Sequence, residues 1–461
     1  MPHVYPFRAL QYRGGSGDVS KLVSPPYDVL DASQKAALLA GDADNIVSVD
    51  LPVVPAKALG PAEAYEGAAD RLASLIEQGV VSQRDTPAMF AYRQSFEFQG
   101  ERYQRCGMAC CVELLDFGPR DGGGVLPHEH TFGGPKEDRK ALMTATGCQT
   151  SPVFGLHPDE TGAGTTLIRS VMDARDPDMT AELALGGGDG VTHEVWTIED
   201  DETIANYTRA LDGEDVFIAD GHHRYNTQLN YLKALEEEGP VPADHPARRC
   251  MMVLVGMSDP GLAIGPTHRV LGGMRDYTMD RFIDASAGLL NVEAIDNEPR
   301  RFEQQMASLA ERERTNVFGL YDYATGLCFA CWPATSDPLE LEFGDKPEAW
   351  RNLDVALVQH LIVEQICEPE LNAGEPIKWA FPHSIDEMLA IGRGEETGSA
   401  ISGGGRPQLA VIVRPTPLEA VRAISLAGEV MPQKSTFFYP KLATGLFLHP
   451  LRATVAAPSG R

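Results

Sequence analysis

Four apolar residues, Val216-Phe217-Ile218-Ala219, run without a break into Asp220-Gly221-His222-His223-Arg224-Tyr225. The polar cluster then gives way to a segment with Leu229, Leu232 and Leu235 at three-residue intervals. An uninterrupted apolar run predicts a strand buried on both faces, and the three-residue spacing predicts a helix. A glycine turn that feeds a helix start exposes free backbone N–H groups at the positive end of the helix dipole. With an arginine and two imidazoles added, the turn is a seat for an anion, most often a phosphate. Elsewhere, Ala64, Ala68, Leu72, Leu75 and Ile76 predict an amphipathic helix over 61–79. Alternation over Ala88–Phe98 and Tyr103–Leu115, around Gln99-Gly100-Glu101, predicts an antiparallel pair. Asn45 to Leu51 reads as a strand, and 32–39, 136–146, 201–211, 280–312, 350–368 and 417–426 read as helices. Further strands are expected at 193–198, 251–257 and 408–414, and glycine-rich connectors at 186–190 and 394–406. Hairpins mixed with strand–helix units predict an α+β, mixed α/β fold and not a simple doubly wound sheet.

Composition narrows the function classes. A chain of 461 residues has room for about two or three domains, each with its own core. Its net charge of -27 argues against a nucleic-acid surface, which needs a basic patch. No run approaches about 18 apolar residues, so no membrane span is expected. The start, Met1-Pro2-His3-Val4-Tyr5, lacks the basic-then-apolar pattern of a signal peptide. Eight cysteines are too sparse for a disulfide scaffold, which favours reduced thiols and a cytoplasmic location.

Several other segments carry chemistry. Leu126-Pro127-His128-Glu129-His130 puts two histidines two residues apart, on the same side of an extended chain, where they can ligate a metal. The HExxH helix spacing of zinc proteases is absent. Lys136 and Arg139 follow one turn apart at a helix start, either to meet phosphates or as a solvated charged face. Ser24-Pro25-Pro26-Tyr27-Asp28 is stiffened by its prolines; it either presents Tyr27 and Asp28 to a pocket or is a structural turn. Gly265-Pro266-Thr267-His268-Arg269 repeats the theme of a His-Arg pair at a strand end. Met431 to Leu446 gathers aromatics, hydroxyls and two lysines, Lys434 and Lys441, suited to a base and its phosphates or to a core strand with a snorkelling lysine. Cys328-Phe329-Ala330-Cys331 sits in an apolar run and reads as structural. No Walker, GxGxxG, GxSxG or kinase motif set occurs.

Together ADGHHRY, PHEHTFGGPKEDR, SPPYDV, PTHR and MPQKSTFFYPKLATGL resemble domain of unknown function family 1015 of bacteria and archaea, from about Phe7 to Pro450. The DGHHR turn is similar to the phosphate-binding turn of the superfamily that holds ATP-dependent sulfiredoxin, CTP-binding ParB partition proteins and a free serine kinase. That resemblance implies a ParB/sulfiredoxin-like core with additional α/β regions. It implies that Gly221, His222, His223 and Arg224 cradle nucleotide phosphates. The cysteine that sulfiredoxin carries in this turn is replaced here by His222 or His223, so sulfinic-acid reduction is not implied.

The resulting expectation is three regions: an N-terminal α/β region over 1–150, a nucleotide-binding core over 151–275 and a C-terminal α/β region over 276–461. The expected function is a nucleotide-dependent, serine-kinase-like small-molecule phosphotransferase. Asp220, His222, His223, Glu129 and Asp28 are its candidate catalytic groups. Gly221, Arg224, Tyr225, Lys136, Arg139, His268, Arg269, Lys434 and Ser435 are candidates to hold the nucleotide. ATP or ADP, or alternatively CTP, would bind with Mg2+, and a small-molecule acceptor such as serine would take the phosphoryl group. Two alternatives stay open: a metal-dependent hydrolase built on His128, His130, His222 and His223, or a nucleotide-binding protein without turnover.

Overall fold

The computed structural model describes residues 2–56, 58–130, 133–184, 190–295, 298–313, 316–395 and 400–452. Most of the 186–190 connector, Thr131 and Phe132, and 396–399 of the second connector lie outside them. The chain forms two compact units, Met1–Ala263 with Phe438–Arg461, and Ile264–Phe437. Among the described residues no helix is long and apolar enough to cross a membrane.

A ten-stranded mixed sheet forms the first unit. From Gly17–Asp18 at one edge it runs through Met179–Leu183, Val191–Ile198, Met89–Phe98, Glu101–Glu113, Arg249–Gly256, Val153–His157 and Val216–Asp220 to Val125–Leu126, and the tenth strand, Val4–Tyr5, pairs with Glu101–Glu113 off this path. Strands from both sides of residue 150 therefore share one sheet. Gln99 and Gly100 both take positive φ (52° and 81°), the two-residue turn that matches strand twist and sets the long hairpin. Val216–Asp220 pairs antiparallel with Val153–His157 and parallel with Val125–Leu126. With helices and neighbouring strands around it, its four apolar residues are buried, as an apolar run without alternation requires.

One expected strand is absent. Residues 47–50 form a helical turn, Val47–Asp50, despite three β-branched or aliphatic neighbours. Asn45 decides this locally: its Oδ1 accepts the Val47 N–H at 3.0 Å, while its Nδ2 donates to Lys21 O and Val23 O at 2.8 Å each. A side chain that satisfies the backbone in this way outcompetes strand propensity. The turn delivers Asp50 to the interior, at 1% exposure.

The second unit carries a six-stranded antiparallel sheet in the order Leu290–Ile295, Cys328–Pro333, Phe318–Asp322, Pro407–Ile412, Arg269–Gly272, Lys378–Ala380. The expected long helix over 280–312 is split. Met279–Ala285, capped by the Thr278 hydroxyl, ends before Gly288 at φ +84°; a strand follows, and the helix resumes at Pro299–Glu313. Cys328 and Cys331 are buried in their strand, and burial raises both thiols, Cys328 to about 11, which leaves them unreactive.

Candidate functional site

Gly221 stands between the strand Val216–Asp220 and the helix His222–Glu238 at φ +95°, a conformation that favours glycine. A Cβ on it would lie 3.0 Å from Arg224 Nε, because the Arg224 side chain folds back over the turn. One guanidinium nitrogen of Arg224 donates to Asp220 Oδ2 and another to the carbonyl of Pro152. The other oxygen of Asp220 accepts from Lys441 Nζ. Burial alone would raise the Asp220 carboxyl, but the Lys441 and Arg224 charges outweigh it and hold the group well below the usual carboxylate range. Burial would likewise discharge Arg224; the carboxylates of Asp220, Asp28 and Asp50 keep it charged.

His222 is buried at the first helical position, and its Nε2 accepts the backbone N–H of His128 at 3.3 Å. An accepting Nε2 specifies a neutral imidazole with its proton on Nδ1. Burial first, then the His128 ring, pushes His222 well below the ordinary histidine value. The His128 ring stands edge-on to it at 4.5 Å, and burial lowers that group to about 4. These two imidazoles therefore bring hydrogen-bonding capacity and no charge. The positive charge at the turn comes from Arg224 and Lys441.

A second group of ions lies beyond Arg224. Arg139 Nη1 donates to Asp50 O at 2.6 Å and its Nε to Asp138 Oδ2 at 2.7 Å. Its guanidinium lies 4.1 Å from the centre of the Tyr27 ring, a cation–π contact. Asp50 Oδ1 accepts from Thr150 at 2.6 Å and Ser151 at 3.1 Å. Asp138 also accepts the Tyr65 hydroxyl at 2.7 Å. The cations Arg139, Arg224 and Lys441 thus face the carboxylates Asp50, Asp138 and Asp220, three against three. Arg105 is a fourth cation, itself buried. It bonds neutral oxygens, Tyr439 O at 3.0 Å, Pro440 O at 2.5 Å and Gln94 Oε1, and burial lowers it to about 10. Gln94 in turn donates to Lys441 O at 3.0 Å. Arg105 and Gln94 together fix the backbone that aims Lys441 at Asp220.

The first unit thus gathers Tyr27, Arg139, Asp220, Gly221, His222 and Arg224 with His128, while Asp28 is exposed but near enough for its charge to act on Arg224. His223, Glu129 and Lys136 are half-buried on the turn, the 128–130 loop and the first turn of the helix Gly133–Thr146. Two expectations need correction. A bend at His128 breaks the two-residue period, so His128 is buried while His130 is exposed, and the two do not share a side. Tyr225 faces the core: its hydroxyl donates to Leu115 O at 2.7 Å and accepts from Leu115 N at 2.9 Å, and its ring stacks on Phe117 at 5.0 Å. It anchors the helix and is not at the open face of the turn. Among the described residues no group of three His, Cys, Asp or Glu side chains could hold a metal ion.

His268, Arg269, Lys434 and Ser435 belong to the second unit. Arg269 donates to Lys434 O at 3.1 Å and Gln433 O at 3.2 Å, which pins that loop. Buried His268 accepts the Val413 N–H on Nδ1 at 3.3 Å and has Nε2 3.4 Å from Glu303. Lys434 is exposed, and the Ser435 hydroxyl donates to Pro432 O. Sequence reasoning did not single out Asp50, Asp138, Thr150, Ser151 or Arg105 as site residues, and it named Lys441 only alongside Lys434 in the aromatic segment.

The buried histidines make a prediction about acid stability. Burial lowers His128 and His449 to about 4 and His193 to about 3, against about 6.5 in an unfolded chain. Between these values the unfolded chain binds more protons than the folded one. Stability is therefore complete above about pH 6.5 and falls as the pH drops toward 4, by on the order of 1–2 kcal/mol per histidine at pH 5. Thermal melts from pH 7.5 to 4.5 should show a steep decline beginning below 6.5; a flat profile would contradict neutral burial.

Comparison with curated proteins finds no significant match. Among solved structures, a conserved hypothetical protein from Pyrococcus furiosus is 15% identical, covering 70% of this chain and 92% of its own, with a TM-score of 0.30. A free serine kinase in complex with AMP is 14% identical over 72% of this chain and 95% of its own, TM-score 0.31. A mutant of free serine kinase in complex with ADP is 13% identical over 72% and 96%, TM-score 0.30. A family model described as "Protein of unknown function (DUF1015)" matches residues 4–356, and the chain belongs to that family.

Proposed function

We propose that the chain is a nucleotide-dependent small-molecule phosphotransferase that holds phosphates on the Gly221–Arg224 turn. One observation carries this reading: two cations on different segments, Arg224 and Lys441, converge on a single carboxylate, Asp220, beside a positive-φ glycine that opens a 17-residue helix. Asp220 occupies the place of an anion. A phosphate entering there meets a guanidinium fork, an ammonium and the helix N-terminus together. Phosphoryl transfer asks a protein chiefly for such positioning and charge neutralisation. The neutral imidazole of His222 adds a hydrogen-bonding group without competing charge. Mg2+ takes oxygen ligands; both Asp220 oxygens already meet Arg224 and Lys441, so the exposed Asp28 carboxylate, whose charge reaches Arg224, is the one that would meet it, and when bound it would neutralise phosphate charge.

Titration calorimetry with ATP, ADP and CTP, with and without Mg2+, tests the reading. Micromolar binding of at least one nucleotide is expected, weakened about tenfold or more by Lys441→Met, since a charge-assisted bond is worth ~1.5–3 kcal/mol. Failure of all three to bind would sink the proposal. Tight binding without transfer to water or to any acceptor would leave a nucleotide sensor instead.

A further inference from the structure

Two side chains that line one small cavity have a buried polar atom without a hydrogen-bond partner, Asp50 Oδ2 and Thr227 Oγ1, and a third lining side chain, Arg139, has its Nη2 2.7 Å from the Asp138 carboxylate. The cavity measures about 20 Å³, and Arg224 forms part of its wall. The Asp50, Arg139 and Thr227 side chains are 1%, 6% and 0% exposed. Buried polar groups are satisfied as a rule, so two such atoms around one space point to a polar group that fits between them.

Size and chemistry define that occupant. A water needs about 10–15 Å³, so the space takes one oxygen-sized group. Asp50 Oδ1 is already held by Thr150 and Ser151, which leaves Oδ2 as the acceptor facing the cavity. Arg139 Nη2 can only donate, and the Thr227 hydroxyl can do either. Two guanidiniums disfavour a cation and the Asp50 carboxylate disfavours an anion. A hydroxyl, which donates to Asp50 and accepts from Arg139, satisfies both.

We propose that Asp50, Arg139 and Thr227 form the subsite for the acceptor's hydroxyl group, filled by water when no acceptor is bound. The inference rests on the phosphotransferase reading and names its acceptor class as an alcohol. Arg224 borders both this cavity and the Asp220 turn, so the hydroxyl lies beside the group proposed to hold phosphate. In the step, the hydroxyl oxygen forms a bond to the terminal phosphorus of a nucleoside triphosphate. The bond from that phosphorus to the bridging oxygen breaks, the nucleoside diphosphate leaves, and the hydroxyl proton passes to Asp50 Oδ2. With water in the subsite the products are inorganic phosphate and the diphosphate, so slow hydrolysis is an intrinsic activity of the free enzyme.

Phosphate release from ATP, measured on the full chain alongside calorimetry of ADP, tests this. Asp50→Asn should slow release about 100-fold, the contribution of a positioned proton acceptor, with ADP affinity within about threefold of wild type. Thr227→Val, nearly isosteric, should slow release several-fold, and it decides the matter if Asp50→Asn does not fold. ATP binding without hydrolysis, or wild-type hydrolysis in folded Asp50→Asn or in Thr227→Val, would overturn the subsite. Failure of the wild type to bind nucleotide would instead overturn the phosphate site on which it rests.

Discussion

Asp220→Asn is expected to weaken the fold and tighten anion binding at the same time. The carboxylate neutralises two cations, Arg224 and Lys441, whose side chains are 7% and 19% exposed. Asparagine keeps the shape and one acceptor oxygen but removes the charge. Breaking a buried ion pair from one side leaves uncompensated charge and costs ~3–5 kcal/mol, here softened by the partial exposure of Lys441. Denaturant melts of the variant should show a loss of that order. The same substitution removes the anion that competes with a ligand for both cations. Two unit charges about 4 Å apart interact by about 4 kcal/mol at the effective dielectric of a protein surface. Relieving that repulsion should tighten inorganic phosphate at least tenfold, measured by calorimetry in chelator so that metal bridging does not intervene. A folded variant that binds phosphate no better than wild type would show that Arg224 and Lys441 serve the fold alone.

Opposite signs on stability and affinity follow from the pairing, and the pairing was only half visible in the amino-acid order. Asp220, Gly221 and Arg224 announce themselves, because a fully apolar strand ending in Asp-Gly leaves few local alternatives. Their partners come from far along the chain. Lys441 sits in an aromatic segment beside Lys434, and neither spacing nor composition separates the two. What singles out Lys441 is Arg105, from the long hairpin, which grips the carbonyls of Tyr439 and Pro440. Asp50 was hidden differently. Its β-branched neighbours promise a strand, and only the Asn45 side chain, bonded to Lys21 and Val23, turns the segment into the helical step that buries it. Tyr225 shows the reverse error: polar and next to the turn, it is drawn into the core by Phe117 and Leu115. Fold class was legible from local patterns. The joining of strands from both sides of residue 150 was not, because the parallel pairing of Val153–His157 with Arg249–Gly256 spans about a hundred residues and leaves no local mark.

The other large effect is expected at Arg224. In Arg224→Ala, Asp220 keeps Lys441 as a counter-charge but the carbonyl of Pro152 loses its donor, and the wall of the polar cavity opens. Stability should fall by ~3–5 kcal/mol, as for other broken buried pairs. Nucleotide affinity should fall by about 100-fold, since a phosphate loses a bidentate, charge-assisted partner worth ~1.5–3 kcal/mol per bond. Both losses together do not separate binding from folding, and Arg224→Lys does. Lysine restores a positive charge beside Asp220 and should recover part of the stability. It cannot reproduce the fork that reaches Asp220 and Pro152 while presenting nitrogens over Gly221, so nucleotide affinity should remain at least tenfold below wild type. Denaturant melts and calorimetry on the same two variants check this. If Arg224→Lys recovers stability and affinity in parallel, the guanidinium acts only as a buried charge, and the turn's claim on phosphate rests on Lys441 and the helix end alone.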